Sequence, residues 1–158
     1  MTERLRAANT RRRWLLGFTL LELMMVIGLI GVLLAIALPR YGDYRDRMKV
    51  ADAVRDIGVI AAKLSQYALD NRDFPDTLVQ IGWTQADPWG NPYQYLAMAG
   101  ANVGQKRKDR ALHPLNSDFD LYSMGPDGRS VPPLTANASQ DDIIRANDGA
   151  FIGKASDY

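Results

Sequence analysis

The sequence predicts an α+β protein in which one long N-terminal helix packs on a small antiparallel β-sheet with a long C-terminal loop. Three observations lead to this fold class. Residues 18–38 form an almost uncharged apolar run, and residues 39–70 continue it with helical periodicity. Residues 71–158 are rich in turn residues and hold two short strand-like stretches. The chain has 158 residues and no cysteine, which excludes disulfides and thiolate metal sites.

The apolar run at 18–38 is long enough to cross a membrane. At about 1.5 Å of rise per residue it reaches roughly 30 Å, the thickness of one bilayer core. Glu22 is the only charged residue inside it. Five arginines and one acid precede it within residues 1–17. This surplus of positive charge predicts a transmembrane helix whose N-terminus faces the cytoplasm and whose sides contact lipid.

The helix is expected to continue beyond the membrane as an amphipathic segment over residues 39–70. Pro39, at the junction, can kink it because proline lacks a backbone N–H and clashes with the preceding turn. Apolar residues then recur at spacings of three and four and form one stripe: Val50, Val54, Ile57, Ala61, Leu64 and Ala68. The stop signals lie at 70–75, where Pro75 follows three acidic or amide residues. The stripe predicts a partner surface in the remaining residues, 71–158.

Residues 71–158 are predicted to form a globular domain with few regular elements. Residues 93–98 and 118–124 alternate partly and contain aromatic residues, which is typical of strands. Pairs of proline, glycine and aspartate flank both stretches and predict turns. Residues 125–149 are interpreted as one long loop. Loops of this length are usually functional or are held down by other contacts.

The N-terminal stretch "GFTLLELMMVIGLIGVLLAIALPRY" resembles the start of type IV pilin-like proteins. The resemblance rests on Gly17, on Phe18 after it, on Glu22 at the fifth position from Phe18 and on Pro39 at the twenty-second. It implies that residues 1–17 are a leader, which a prepilin peptidase removes between Gly17 and Phe18. It also implies N-methylation of Phe18 and assembly of many copies into a filament with the long helices at its core. The residues that it assigns to assembly are Phe18, Glu22 and Pro39.

This resemblance suggests a purpose for Glu22. A lone carboxylate in hydrocarbon costs several kcal/mol, so such groups are usually paired and functional. Cleavage before Phe18 would create a new ammonium about one helical turn from Glu22. In a filament, Glu22 of one subunit can then neutralise the Phe18 amine of its neighbour and so set the register of assembly.

Two further stretches, "DPWGNPYQYL" and "DFDLYSMGPDG", resemble the major (G-type) pseudopilins of type II secretion systems. The resemblance implies a structural subunit, not an enzyme, that is anchored in the inner membrane with its globular domain in the periplasm. Its expected partners are further copies, other pseudopilins and the inner-membrane secretion platform.

The same resemblance implies a calcium ion in the loop after the second strand. Hard cations require six to eight oxygen ligands from carboxylates and loop carbonyls. The ligands carried over to this chain are the side chains of Asp127 and Asp142 and the carbonyl of Met124, with Asp141 as the alternative to Asp142. In another interpretation these aspartates only cap turns.

Two other functions stay open at this point. One is a type IV pilus subunit for adhesion, twitching or DNA uptake, although the missing cysteine and the "DPWGNPYQY" block disfavour it. The other is a membrane-anchored periplasmic enzyme that would use Asp118, Asp120 and Asp127. Residues 106–110, "KRKDR", are interpreted as a solvated turn, and no nucleic-acid partner is expected because one of the five residues is an acid.

Overall fold

The computed structural model describes residues 17–158, so most of the predicted leader lies outside the described part of the chain. Helix α1 spans Leu20–Asn71, which confirms the predicted long helix. Four antiparallel strands form one sheet in the order of the chain: β1 (Gln94–Ala97), β2 (Phe119–Ser123), β3 (Ile143–Ala146) and β4 (Phe151–Lys154). Single 3₁₀ turns lie at Leu78–Ile81, Asn137–Ser139, Asn147–Gly149 and Ala155–Asp157. The predicted α+β class is therefore confirmed.

The chain divides into two compact units after Tyr41. Within the first unit, the apolar side chains of α1 are exposed, with Leu21 and Met25 both at 70%. By length and composition, α1 could cross a membrane. A contiguous apolar surface of this size on a soluble monomer would be unusual, so its normal surroundings are apolar as well.

Short runs of paired residues fix the register of the sheet in the second unit. Tyr95 of β1 pairs with Leu121 of β2, and Tyr122 of β2 pairs with Ile144 of β3. Strands β3 and β4 form a hairpin in which Ile144 lies opposite Gly153. The interpretation of 125–149 as one loop was wrong at its end. The loop ends at residue 142 because the next four residues all pair with β4, and the first two of them, Ile143 and Ile144, also pair with β2.

One face of the sheet packs on α1. The buried side chains of this core come from α1, from β2 and β3, and from Tyr93, and they are Ala53, Ile57, Ile60, Leu64, Tyr93, Phe119, Leu121 and Ile143. The predicted stripe was right at Ile57 and Leu64, whereas Val50, Val54 and Ala61 are only partly buried beside them. The buried face of α1 is thus rotated slightly from the predicted one.

The other face of the sheet is buried too, under chain without regular secondary structure. This second core consists of Leu115, Leu134, Ile144, Ala146 and Ala155. Because side chains alternate along a strand, Phe119 and Leu121 of β2 face α1, whereas Asp120 and Tyr122 face the second core. The central strands β2 and β3 are therefore enclosed from both sides.

We expect Leu64→Ala to lower the free energy of unfolding of the second unit by about 2–5 kcal/mol, since it leaves a cavity in the core against the sheet. Leu64 is fully buried, whereas Leu69 on the same helix is 78% exposed. Leu69→Ala is therefore the matched control and should change the free energy by no more than about 0.5 kcal/mol. Denaturant unfolding followed by tryptophan fluorescence measures both. Equal losses for the two variants would contradict the packing described here.

Candidate functional site

The N-terminal end of α1 carries the predicted processing and assembly residues. Gly17 and Phe18 precede the helix and are exposed. The backbone N–H of Glu22 donates a hydrogen bond to Oγ1 of Thr19 at 3.1 Å, so Thr19 caps the first turn. This contact uses the backbone of Glu22 and not its carboxylate. Since one chain is described, the pairing of Glu22 with Phe18 of another copy stays a prediction, and so does cleavage before Phe18.

Pro39 lies within α1, which continues through it to Asn71. Its missing N–H removes one hydrogen bond from the helix ladder. The role of Pro39 in assembly stays a prediction.

The block "DPWGNP" forms a clasp on the turn that follows β2. One carboxylate oxygen of Asp87 accepts the backbone N–H groups of Trp89 and Asn91, at 3.0 and 2.8 Å. Its other oxygen accepts the hydroxyl of Ser123 at 2.5 Å. The side-chain amide of Asn91 donates to the carbonyl of Gly125 at 3.0 Å. The first stretch that carries the resemblance thus holds the second one in place.

Gly125 brings the turn after β2 against Asp141, one of the predicted calcium ligands. Its φ is +63°, and a Cβ at this position would lie 2.5 Å from the carbonyl oxygen of Asp141. The N–H of Asp127 lies 3.4 Å from Oδ2 of Asp141, and Oδ1 of Asp127 accepts the N–H of Arg129 at 2.8 Å. Met124 directly precedes Gly125 in this turn. The fold therefore brings Met124, Asp127 and Asp141 to one place.

Asp142 turns away from this turn and is completely buried. Its Oδ2 accepts hydrogen bonds from Nη2 of Arg107 at 2.5 Å and from the hydroxyl of Ser130 at 2.6 Å. Burial raises the pKa of Asp142 to about 6, against the opposing effects of Ser130 and Arg107. The carboxylate and the guanidinium of Arg107 form a buried ion pair.

The four predicted ligands do not form a complete calcium site in this arrangement. Within residues 17–158, no group of three or more acidic, histidine or cysteine side chains is placed to hold a metal. Asp127 and Asp141 fit a cation best, since they meet where the turn after β2 lies against residue 141. Asp142 does not fit, because its carboxylate already binds a guanidinium that would repel a divalent ion beside it. Calcium binding stays a prediction.

Two of the aspartates considered for catalysis make structural contacts. Asp118 forms an ion pair with Arg145 through two hydrogen bonds of 2.8 and 2.7 Å. Asp120 accepts the backbone N–H of Arg107 at 2.6 Å and the amide of Asn116 at 3.0 Å. Burial raises the pKa of Asp120, and these hydrogen bonds oppose the rise.

The interpretation of residues 106–110 as a solvated turn was wrong for Arg107, whose side chain is only 3% exposed. Its burial could not be found from the sequence. Arg107 lies in an irregular segment without periodicity, and its partner Asp142 lies 35 positions further along the chain.

Comparison with known proteins gives the family. No family model matches the chain, and neither does any solved structure. The type II secretion system core protein G of Pseudomonas aeruginosa is 36% identical, over 75% of this chain and 89% of that protein. Proteins of the same name from Aeromonas hydrophila and Escherichia coli are each 32% identical and are covered over 85% and 88% of their lengths. A fimbrial protein of P. aeruginosa is 37% identical, but over 44% of this chain and 49% of its own.

The long helix, the small antiparallel sheet and these matches agree. The chain belongs to the family of type II secretion system core protein G, within the pilin-like proteins.

Proposed function

We propose that the chain is a structural subunit of a periplasmic pseudopilus that drives protein export through a type II secretion system. The observation that carries this proposal is the extent of the match. Core protein G of P. aeruginosa is matched over 89% of its length, whereas the fimbrial protein of the same organism is matched over 49%. The match thus covers most of the secretion protein and about half of the fimbrial protein.

In this proposal residues 18–38 lie in the inner membrane before assembly, with the N-terminus in the cytoplasm and the residues after 38 in the periplasm. Two features support it: the exposed apolar surface from Phe18 to Leu38 and the arginines of the leader. On assembly the same apolar surface would exchange lipid for the helices of neighbouring copies. This exchange costs little, because lipid chains and leucine side chains are about equally apolar.

The proposed life of the chain begins with a prepilin peptidase that cuts between Gly17 and Phe18 and leaves Phe18 to be N-methylated. Both residues are exposed before the first turn of α1, which is compatible with access by an enzyme. The mature chain then joins a filament of identical copies with other pseudopilins, at the secretion platform. Its contribution is mechanical: shape, helix packing and the charge of Glu22 specify where each subunit docks.

We expect Glu22→Gln and Glu22→Ala to be cleaved before Phe18 but to fail to assemble. Both changes remove the carboxylate that would neutralise the neighbour's Phe18 amine, and both keep the backbone N–H that Thr19 caps. Asp43→Asn, at an exposed position on the same helix, is the control and should assemble normally. Gel mobility measures cleavage, and electron microscopy of sheared filaments measures assembly. Normal filaments from Glu22→Gln would exclude a role for the charge.

We also expect deletion of the gene to stop secretion of enzymes into the medium and to leave pili and twitching motility intact. Complementation with this chain should restore secretion. Both traits are scored on the same cells, so the two kinds of filament are separated in one experiment. Lost motility with intact secretion would instead assign the chain to a type IV pilus.

A further inference from the structure

The long segment between the second and third strands, residues 124–142, needs contacts to hold it in one conformation. We call it the β2–β3 loop. It has one short 3₁₀ turn, Asn137–Ser139, and no strand. The conformational entropy lost when such a segment is ordered amounts to about 1–2 kcal/mol per residue, which local turns alone do not offset. A disulfide is excluded because the chain has no cysteine.

The guanidinium of Arg107 joins the middle of this loop to its end. Nη1 donates to the hydroxyl of Ser130 at 2.6 Å and to the carbonyl of Val131 at 2.8 Å. Nη2 donates to Oδ2 of Asp142 at 2.5 Å. The hydroxyl of Ser130 also donates to this oxygen, at 2.6 Å. The Ser130 hydroxyl, the Val131 carbonyl and the Asp142 carboxylate thus form one small network around a single cation.

Arg107 itself is anchored to the sheet. Its backbone N–H donates to Oδ2 of Asp120 in β2, and its carbonyl accepts the N–H of Leu115 at 3.0 Å. Its guanidinium carbon lies 4.4 Å from the ring centroid of Tyr122, also in β2, which is within the range of a cation–π contact. The loop is therefore fastened to the central strand and not only to itself.

We propose that Arg107 is the internal cation that braces the β2–β3 loop, and that this chain needs no calcium ion there. A divalent cation bound by Asp142 would have to displace a buried guanidinium or lie beside it in a site of low dielectric, where like charges repel strongly. Arg107 takes the place of a bound cation, since it neutralises Asp142 and donates hydrogen bonds to oxygens of the loop. Unlike a bound ion, it cannot dissociate from the chain. This inference does not depend on the proposed secretion function.

An unpartnered oxygen of Asp142 makes calcium binding the alternative that has to be tested. Within the described part of the chain, Oδ1 of Asp142 and Nε of Arg107 are buried without a hydrogen-bond partner. Oδ1 is thus the acceptor of Asp142 that a calcium ion would find unoccupied. A test therefore has to compare the two cations directly, on the same loop.

The first experiment measures amide hydrogen exchange of peptides from residues 124–142 in the full wild-type chain, held in detergent micelles. We expect the same protection in millimolar calcium chloride and in excess EGTA. We also expect no saturable heat of binding when calcium is titrated into the chelator-treated protein. Loss of protection in EGTA that calcium restores would overturn the proposal, and this measurement depends on no variant.

The second experiment removes the internal cation. Arg107→Gln should speed exchange in the β2–β3 loop by about two orders of magnitude or more, in calcium as in EGTA, because it leaves a buried carboxylate unpaired. Arg110→Gln, at an exposed position of the same segment, is the matched control and should leave exchange unchanged. Wild-type protection in Arg107→Gln, or its rescue by calcium, would overturn the proposal.

The double variant Arg107→Gln, Asp142→Asn separates the ion pair from general damage. With both charges removed, no unpaired carboxylate stays buried, so exchange should be slower than in Arg107→Gln alone. Exchange at least as fast in the double variant would show that the two charges do not act as a pair, and would count against the proposal.

Discussion

The enclosure of β2 and β3 from both sides is the constraint on which the second unit depends. Every residue of β3 is buried, and so are four of the five residues of β2. On one face a regular helix supplies Ile57, Ile60 and Leu64 and needs no outside partner for its backbone. On the other face the cover is irregular chain, whose N–H and C=O groups have no ladder to join. These groups must be satisfied by side chains, and this requirement explains why so many polar residues are buried here.

Buried polar side chains also form pairs on both sides of the sheet. Asp87 binds Ser123, Arg107 binds Asp142, and Arg145 binds Asp118. A buried ion pair contributes little net stability, because desolvation cancels much of the attraction, but an incorrect partner leaves a charge unpaired at a cost of several kcal/mol. The pairs therefore act mainly on specificity. Each allows one path of the irregular chain over the sheet and penalises the others.

The sequence predicted the features that have a period or a composition of their own. The long helix, the apolar run and the first two strands were found in this way, and so was the class of the fold. Strands β3 and β4 were missed because each has four residues, and each looks unlike a strand in isolation: Arg145 stands in the middle of one and Gly153 in the other. Both are strands because of their neighbours. The Arg107–Asp142 pair was also missed, because it joins two segments that have no periodicity of their own.

Each of the two units contains a carboxylate in apolar surroundings, although the apolar surface is exposed in the first unit and covered in the second. Along the first part of α1, the apolar surface is exposed, and one carboxylate, Glu22, stands within it. In the second unit, the apolar surface is covered, and the carboxylate of Asp142 lies beneath it. In both places a charge in apolar surroundings can be tolerated only with a matching cation. For Asp142 the cation is in the same chain, so the loop is complete as soon as the unit folds. For Glu22 the proposed cation belongs to another copy, so the carboxylate is neutralised only on assembly. The unpaired charge of an isolated subunit therefore favours association with a neighbouring copy.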